Sequence, residues 1–172
     1  PPTTTVTLSG TPGIGGWYRS AVNLTLSAVD TASGPAATYY RVNSGAWQAG
    51  ATANISFDGI HTVDYYSVDQ AGNREANRTV TVKIDTQAPT SRVSAPLGYQ
   101  ASNVVTVRWS GSDAGSGVLY YDVEYRDGAG GAWTAWRTAT DETSGLFVGQ
   151  RGHVYYLRSR ARDRAGNVEK PP

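Results

Sequence analysis

Apolar side chains in this chain recur at every second position rather than every third or fourth. Val22, Leu24, Leu26 and Ala28 form one such series, Val63, Tyr65 and Ser67 a second, and Val80, Val82 and Ile84 a third. In the second half, Val105, Val107 and Trp109 alternate with Thr106 and Arg108, followed by Tyr121, Val123 and Tyr125 and then Tyr155, Leu157, Ser159 and Ala161. A period of two places alternate side chains on one face of a strand, so each series predicts a strand with one buried face. Gly, Asn, Asp and Ser clusters bound the series and supply the turns. Many short strands at close spacing predict an all-β fold of sandwiches.

The pattern also repeats. Asp69-Gln70-Ala71-Gly72-Asn73 returns 94 residues later as Asp163-Arg164-Ala165-Gly166-Asn167. That interval matches one sandwich of about 100 residues. Val29-Asp30 leading to Ser33-Gly34 is likewise echoed by Ser112-Asp113 leading to Ser116-Gly117. Pro89 follows Ile84-Asp85-Thr86-Gln87-Ala88, and proline there ends a strand and stiffens a short linker. Two modules are therefore expected, 1–87 and 88–172, each of about seven strands.

Composition narrows the chemistry. The 172 residues include no cysteine and no methionine, which excludes disulfides, thiolate metal sites and a catalytic cysteine. A net charge of +1 gives no field for nucleic acid or an anionic membrane. No apolar run reaches the ~18 residues of a membrane span. Pro1-Pro2 and Pro171-Pro172 read as linker edges, so the chain is expected to be a piece of a longer protein. Only two histidines occur, His61 and His153, and no Gly-x-Ser-x-Gly elbow, His-Glu-x-x-His pair or phosphate loop is present. The expectation is a protein that is not an enzyme. His61 is expected to be a structural histidine, and Lys83, out of phase with Val82 and Ile84, to point to solvent.

Residues 13–89 resemble the bacterial Ig-like repeats of secreted hydrolases and surface adhesins. The resemblance rests on Gly16-Trp17-Tyr18, Ala28-Val29-Asp30, Ser33-Gly34, Tyr40-Arg41-Val42, Gly45 with Trp47, Asp58-Gly59 with His61-Thr62-Val63, Asp69 to Asn73, and Lys83 to Pro89. Residues 90–170 resemble a fibronectin type III module, with Trp109 at that family's early-strand tryptophan and Tyr155 at its tyrosine corner. The resemblance implies two tandem immunoglobulin-like/fibronectin type III-like β-sandwiches. It implies an extracellular or cell-surface location and a spacer or display role, with neighbouring domains of the same polypeptide as partners.

Two candidate sites follow. In such a tandem, the loops bearing Asp113 and Asp163 are expected to face the linker residue Asp85. Three carboxylates with nearby carbonyls make a hard-oxygen donor set, so Ca²⁺ is the candidate cofactor. The simpler role for both Asp-x-Ala-Gly-Asn segments is turn formation, the aspartate accepting amides two residues on. Aromatic residues supply the second candidate. Trp17, Tyr18, Trp133 and Trp136 lie near turns, where an exposed ring could stack on a sugar. A carbohydrate- or host-protein-binding accessory module is the alternative function, with polysaccharide or a surface protein as partner. Trp133 and Trp136 are three apart, so a flat strand puts them on opposite faces.

Overall fold

The computed structural model describes residues 1–171; Pro172, the last residue of the second expected module, lies outside them. The chain divides into two units between Thr86 and Gln87. No helix among the described residues is long and apolar enough to cross a membrane.

Unit 1 holds β1 (Thr3–Ser9), β2 (Trp17–Tyr18), β3 (Val22–Val29), β4 (Pro35–Val42), β5 (Gln48–Ala49), β6 (Thr52–Ile55), β7 (Gly59–Asp69) and β8 (Arg78–Ile84). One sheet has the order β1-β3-β6 and the other β2-β8-β7-β4-β5. The alternation read from sequence is the inward face. Val22, Leu24, Leu26, Ile55, Val63, Tyr65, Val82 and Ile84 are buried together between the sheets. β8 closes the sandwich, pairing antiparallel with β7 from Gly59↔Ile84 to Tyr65↔Arg78, and β2 runs parallel along its other side. Lys83 points away from the core, half-exposed between buried Val82 and Ile84.

Unit 2 holds β9 (Thr90–Ser94), β10 (Val104–Ser112), β11 (Val118–Asp127), β12 (Thr134–Thr140), β13 (Ser144–Val148) and β14 (Tyr155–Asp163). Its sheets run β9-β10-β13 and β12-β11-β14. The expected seven strands become eight in unit 1, where β2 and β5 are two-residue pairings, and six among the described residues of unit 2. The core centres on Val107, Trp109, Tyr121, Val123, Phe147 and Ala161. Trp109 donates its indole N–H to the Glu142 carbonyl at 2.6 Å. The Tyr155 hydroxyl accepts the Gln150 amide at 3.1 Å, the tyrosine corner expected from the resemblance.

Each unit ties its first strand to the segment after the Asp-x-Ala-Gly-Asn turn through a glutamate. In unit 1, buried Glu75 accepts the amides of Thr4 (3.2 Å) and Ser67 (2.8 Å) and the Thr4 hydroxyl. In unit 2, Glu169 accepts the amides of Ser91 (2.7 Å) and Ala161 (2.9 Å) and the Ser91 hydroxyl (2.5 Å). Drawing carboxylate oxygens out of water is costly unless they find donors such as these.

Candidate functional site

The loop acids are built alike in the two units. Asp30 Oδ1 accepts the amides of Ala32, Ser33 and Gly34 at 2.9–3.1 Å. Gly34, at φ 80°, then turns its carbonyl to the Gln70 amide at 3.0 Å, joining this loop to the next. Asp69 Oδ1 accepts the amides of Ala71 and Asn73, and its Oδ2 accepts the Asn73 side-chain amide at 2.9 Å. These donors hold both carboxyls below the ordinary aspartate value of 3.8. The Ser33 amide is the main cause at Asp30 and the Asn73 side chain at Asp69, each outweighing desolvation. The Pro1 nitrogen lies 3.8 Å from Oδ2 of each of them.

In unit 2, Asp113 accepts the amides of Gly115 and Gly117 at 3.3 Å, and the Gly117 carbonyl accepts the Arg164 amide at 3.0 Å. Asp163 is fully buried; its Oδ1 accepts Gly166 (2.7 Å) and Asn167 (2.8 Å), and its Oδ2 accepts the Asn167 side-chain amide (2.8 Å). Carboxylate oxygens of Asp113 and Asp163 come within 4.8 Å of one another. Asp163 Oδ2 receives one donor from these bonds and has a second lone pair, an oxygen donor of the kind Ca²⁺ takes. Asp85 directly follows β8; it is buried, and its amide donates to the Tyr18 carbonyl at 2.9 Å.

The four candidate aromatics are dispersed. Trp17 and Tyr18 form β2, both half-buried, with Tyr18 packed on the unit 1 core. Trp136 packs inward, edge-on to Trp109 at 5.6 Å and to Phe147 at 5.3 Å. Trp133 lies on the other face of that sheet, as the three-residue spacing predicts, with the guanidinium groups of Arg126 and Arg158 4.8 and 4.2 Å from its ring centre.

Trp133 belongs to a feature that alternation alone does not show. Across β11 and β14 the outward pairs are Tyr120↔Arg162, Asp122↔Arg160, Glu124↔Arg158 and Arg126↔Tyr156. Every rung is an ion pair or a cation over a ring. Arg158 Nε donates to Glu124 at 2.7 Å and Arg160 Nη2 to Asp122 at 3.2 Å, while Arg126 and Arg162 cover Tyr156 and Tyr120. Arg126 Nε, buried with no hydrogen-bond partner, is held by the faces of Trp133 and Tyr156 instead. Unit 1 has a smaller version. Arg41 donates to Asp64 at 2.9 Å and covers Trp47, which meets Tyr66 edge-on; Tyr66 stacks on Tyr39 and lies under Arg74. The sequence signal was Tyr156-x-Arg158-x-Arg160-x-Arg162 opposite Tyr120-x-Asp122-x-Glu124-x-Arg126, which becomes readable only once the register is known.

His61 is buried between two partners, Asn43 Nδ2 at 3.1 Å and the Phe57 carbonyl at 2.8 Å. His153 pairs with Asp127 at 2.6 Å. Neither histidine sits beside a serine or threonine hydroxyl among these bonds, so no nucleophile–base pair forms through them.

No protein-family model and no curated protein matches the chain. Among solved structures, it is similar to the fibronectin(III)-like modules of Clostridium thermocellum CbhA, at TM-score 0.44 and 15% identity over 98% of this chain and 90% of that one. A two-domain fibronectin type III segment of chicken tenascin gives TM-score 0.41 and 14% identity over 98% and 94%. A chitinase of Bacillus thuringiensis gives TM-score 0.35 and 13% identity over 98% of this chain and 27% of that one.

Proposed function

We propose that the chain is a non-catalytic spacer and display module of a larger secreted or cell-surface protein, its partners being neighbouring domains of the same polypeptide. One observation carries this reading: the loop acids are committed to the fold. Asp30, Asp69, Asp113 and Asp163 each accept two or more amide donors of their own loop. A general acid or base must instead present its carboxyl to a substrate. The rings with sugar-stacking potential are likewise engaged, Trp136 by the core and Trp133 by two guanidinium groups.

Asp113 and Asp163 are the proposed carboxylates of a Ca²⁺ site, with Asp85 as the third ligand expected from sequence. Calcium bound there favours the folded over the unfolded chain by mass action and stiffens a spacer. The test is calcium titration of the whole chain, followed by thermal unfolding and small-angle scattering, with Asp85→Ala as control. The expected result is a raised melting temperature and a narrowed spread of interdomain distances, both lost in the variant. No response to calcium removes the metal from the reading. Retention of the chain on an insoluble polysaccharide, abolished by Trp133→Ala, would overturn the spacer role in favour of a binding module.

A further inference from the structure

The sheet β9-β10-β13 ends on β13, and that edge belongs to the fold itself. In unit 1, which includes β8, the equivalent strand β6 is likewise the last of its sheet, β1-β3-β6. Two bonds fix which backbone groups of β13 face outward. The Gly149 amide donates to the Asn103 carbonyl at 2.8 Å, and the Thr143 carbonyl accepts the Trp109 amide at 2.9 Å. Antiparallel bonding alternates, so the amides and carbonyls of Ser144, Leu146 and Val148 point away from β10. Folded proteins blunt such edges with charge, proline or a bulge. β13 has none of these: residues 143–150 include no charged residue and no proline, and the register with β10 is unbroken. Its outward side chains, Leu146 and Val148, are 62% and 65% exposed, and Val104, opposite Val148, is 39% exposed. Unit 1 differs here. Ile55, paired with Val22, matches Phe147, paired with Val105, so Asn54 stands at the place of Leu146 and bonds to the Asn23 side chain at 2.7 Å.

We propose that β13 pairs antiparallel with β13 of a second copy of this chain, about a two-fold axis at Phe147, joining two three-stranded sheets into one of six strands. The occupant follows from the strand's own pattern, which is self-complementary. About that axis Leu146 lies opposite Val148 of the second copy, and Val148 opposite its Leu146. Both apolar pairs sit where cross-strand neighbours stabilise a sheet. An axis at Leu146 would set Val148 against Ser144 and leave one apolar pair instead of two. Arg137 favours the same register. Its guanidinium lies against Gly145, 3.2 Å from where a side chain there would begin. With the axis at Phe147, Gly145 faces Gly149 of the second copy, which has no side chain to meet that guanidinium. The two Gly145 positions are then about 13 Å apart along the ladder, beyond a Debye length of about 8 Å, so the two arginines repel little. The opposite edge of the sheet, β9, carries exposed Arg92 on its outward face. A head-to-tail contact of β13 with β9 would set that charge beside Leu146 and Val148, so the closed pair is preferred to a filament. The ladder is far smaller than the ~800 Å² per partner of a stable complex, so the association is weak and reversible.

The test compares the whole chain at about 10 μM and about 1 mM, a range that brackets a weak dissociation constant. Sedimentation equilibrium reads the mass, and backbone hydrogen exchange is read residue by residue. The higher concentration is expected to slow exchange at Leu146 and Val148 about threefold or more, as the new ladder protects their amides, and to raise the mass toward that of a dimer. Leu146→Asp puts a charge on the edge at an exposed position. It is expected to keep the melting temperature, stay monomeric and show the same Val148 rate at both concentrations. Leu97→Asp, at another exposed apolar residue, is expected to dimerise like the parent chain. Unchanged rates at Leu146 and Val148 at the higher concentration overturn the proposal. So does association that survives Leu146→Asp or is lost in Leu97→Asp, because the contact would then lie elsewhere. Species larger than a dimer overturn it too, since a two-fold pairing of β13 closes at two copies.

Discussion

Unit 1 and unit 2 share the inward alternation, the paired loop aspartates and the bridging glutamate, buried in unit 1 and half-buried in unit 2, but they differ in the contacts that dominate their packing. Unit 1 closes by backbone pairing: β8 covers β7 over seven residue pairs and seals Val63 from water. Unit 2 is set apart by its side chains. Trp109, Tyr125, Trp136, Phe147 and Tyr155 form a chain of edge-on ring contacts inside it, and four cross-strand rungs line its outer face. The difference teaches that the Asp-x-Ala-Gly-Asn-x-Glu segment is a joint common to both units, on which unit 2 builds the longer series of ring contacts and outward rungs.

The sharpest way to probe that joint is to remove the glutamate. Glu75→Ala strips acceptors from the amides of Thr4 and Ser67, and Glu169→Ala from those of Ser91 and Ala161. Glu75→Ala should cost unit 1 about 3 kcal/mol, the scale for leaving buried donors unpaired, and Glu169→Ala, from a half-buried site, about 2 kcal/mol. Urea unfolding, followed by the tryptophans of each unit, checks this. A negligible loss in either unit would break the claim that the joint is shared.

The next comparison is closure itself. Val63→Ala should cost unit 1 about 2 kcal/mol, through two lost methyl groups and the cavity they leave. Leu157→Ala removes more carbon but from a half-buried position, and should cost unit 2 only about 1 kcal/mol. Equal losses would mean that Leu157 is as well sealed from water as Val63.

Acid should act on unit 1 through Asp30, Asp64 and Asp69, all held below 3.8. Asp64 is held there first by the Thr79 hydroxyl, then by Arg41. Because the folded values are the lower ones, this stabilisation is fully present above about pH 4 and is lost as pH falls through 3.8 toward the folded values. The melting temperature of unit 1 should decline across that window, and Asp69→Asn should flatten the decline. The smallest effect belongs to the outer faces. Trp133→Ala and Trp47→Ala should each cost about 1 kcal/mol or less, the range for partly solvated cation–π contacts.

Much of this was legible in the sequence. Val22, Leu24 and Leu26, or Val105, Val107 and Trp109, identify their inward faces because a strand with one wet side must alternate. Tyr155 and Trp109 sit where the resemblance to fibronectin type III modules implies. The glutamates were within reach, since Glu75 and Glu169 both stand two residues past the repeated asparagine. A charged residue after a turn reads as solvated, however, and its burial depends on a first strand about seventy residues away. The rungs from Tyr120↔Arg162 to Arg126↔Tyr156 were hidden for another reason. Alternation says which side chains share a face, but not which face each other across two strands, and the bulge near Val118 shifts that register.

The parallel pairing of β2 with β8, Trp17 against Lys83 and Tyr18 against Ile84, bears on how unit 1 would yield to a pull. Stretching the polypeptide drags these two strands past each other along their length, so their hydrogen bonds must rupture together. Antiparallel neighbours opened from one end part in sequence, like a zip. Rupture force under stretching is governed by the unfolding rate rather than by equilibrium stability. Unit 1 is thus wired as a shear lock, and its toughness should exceed what its melting temperature suggests.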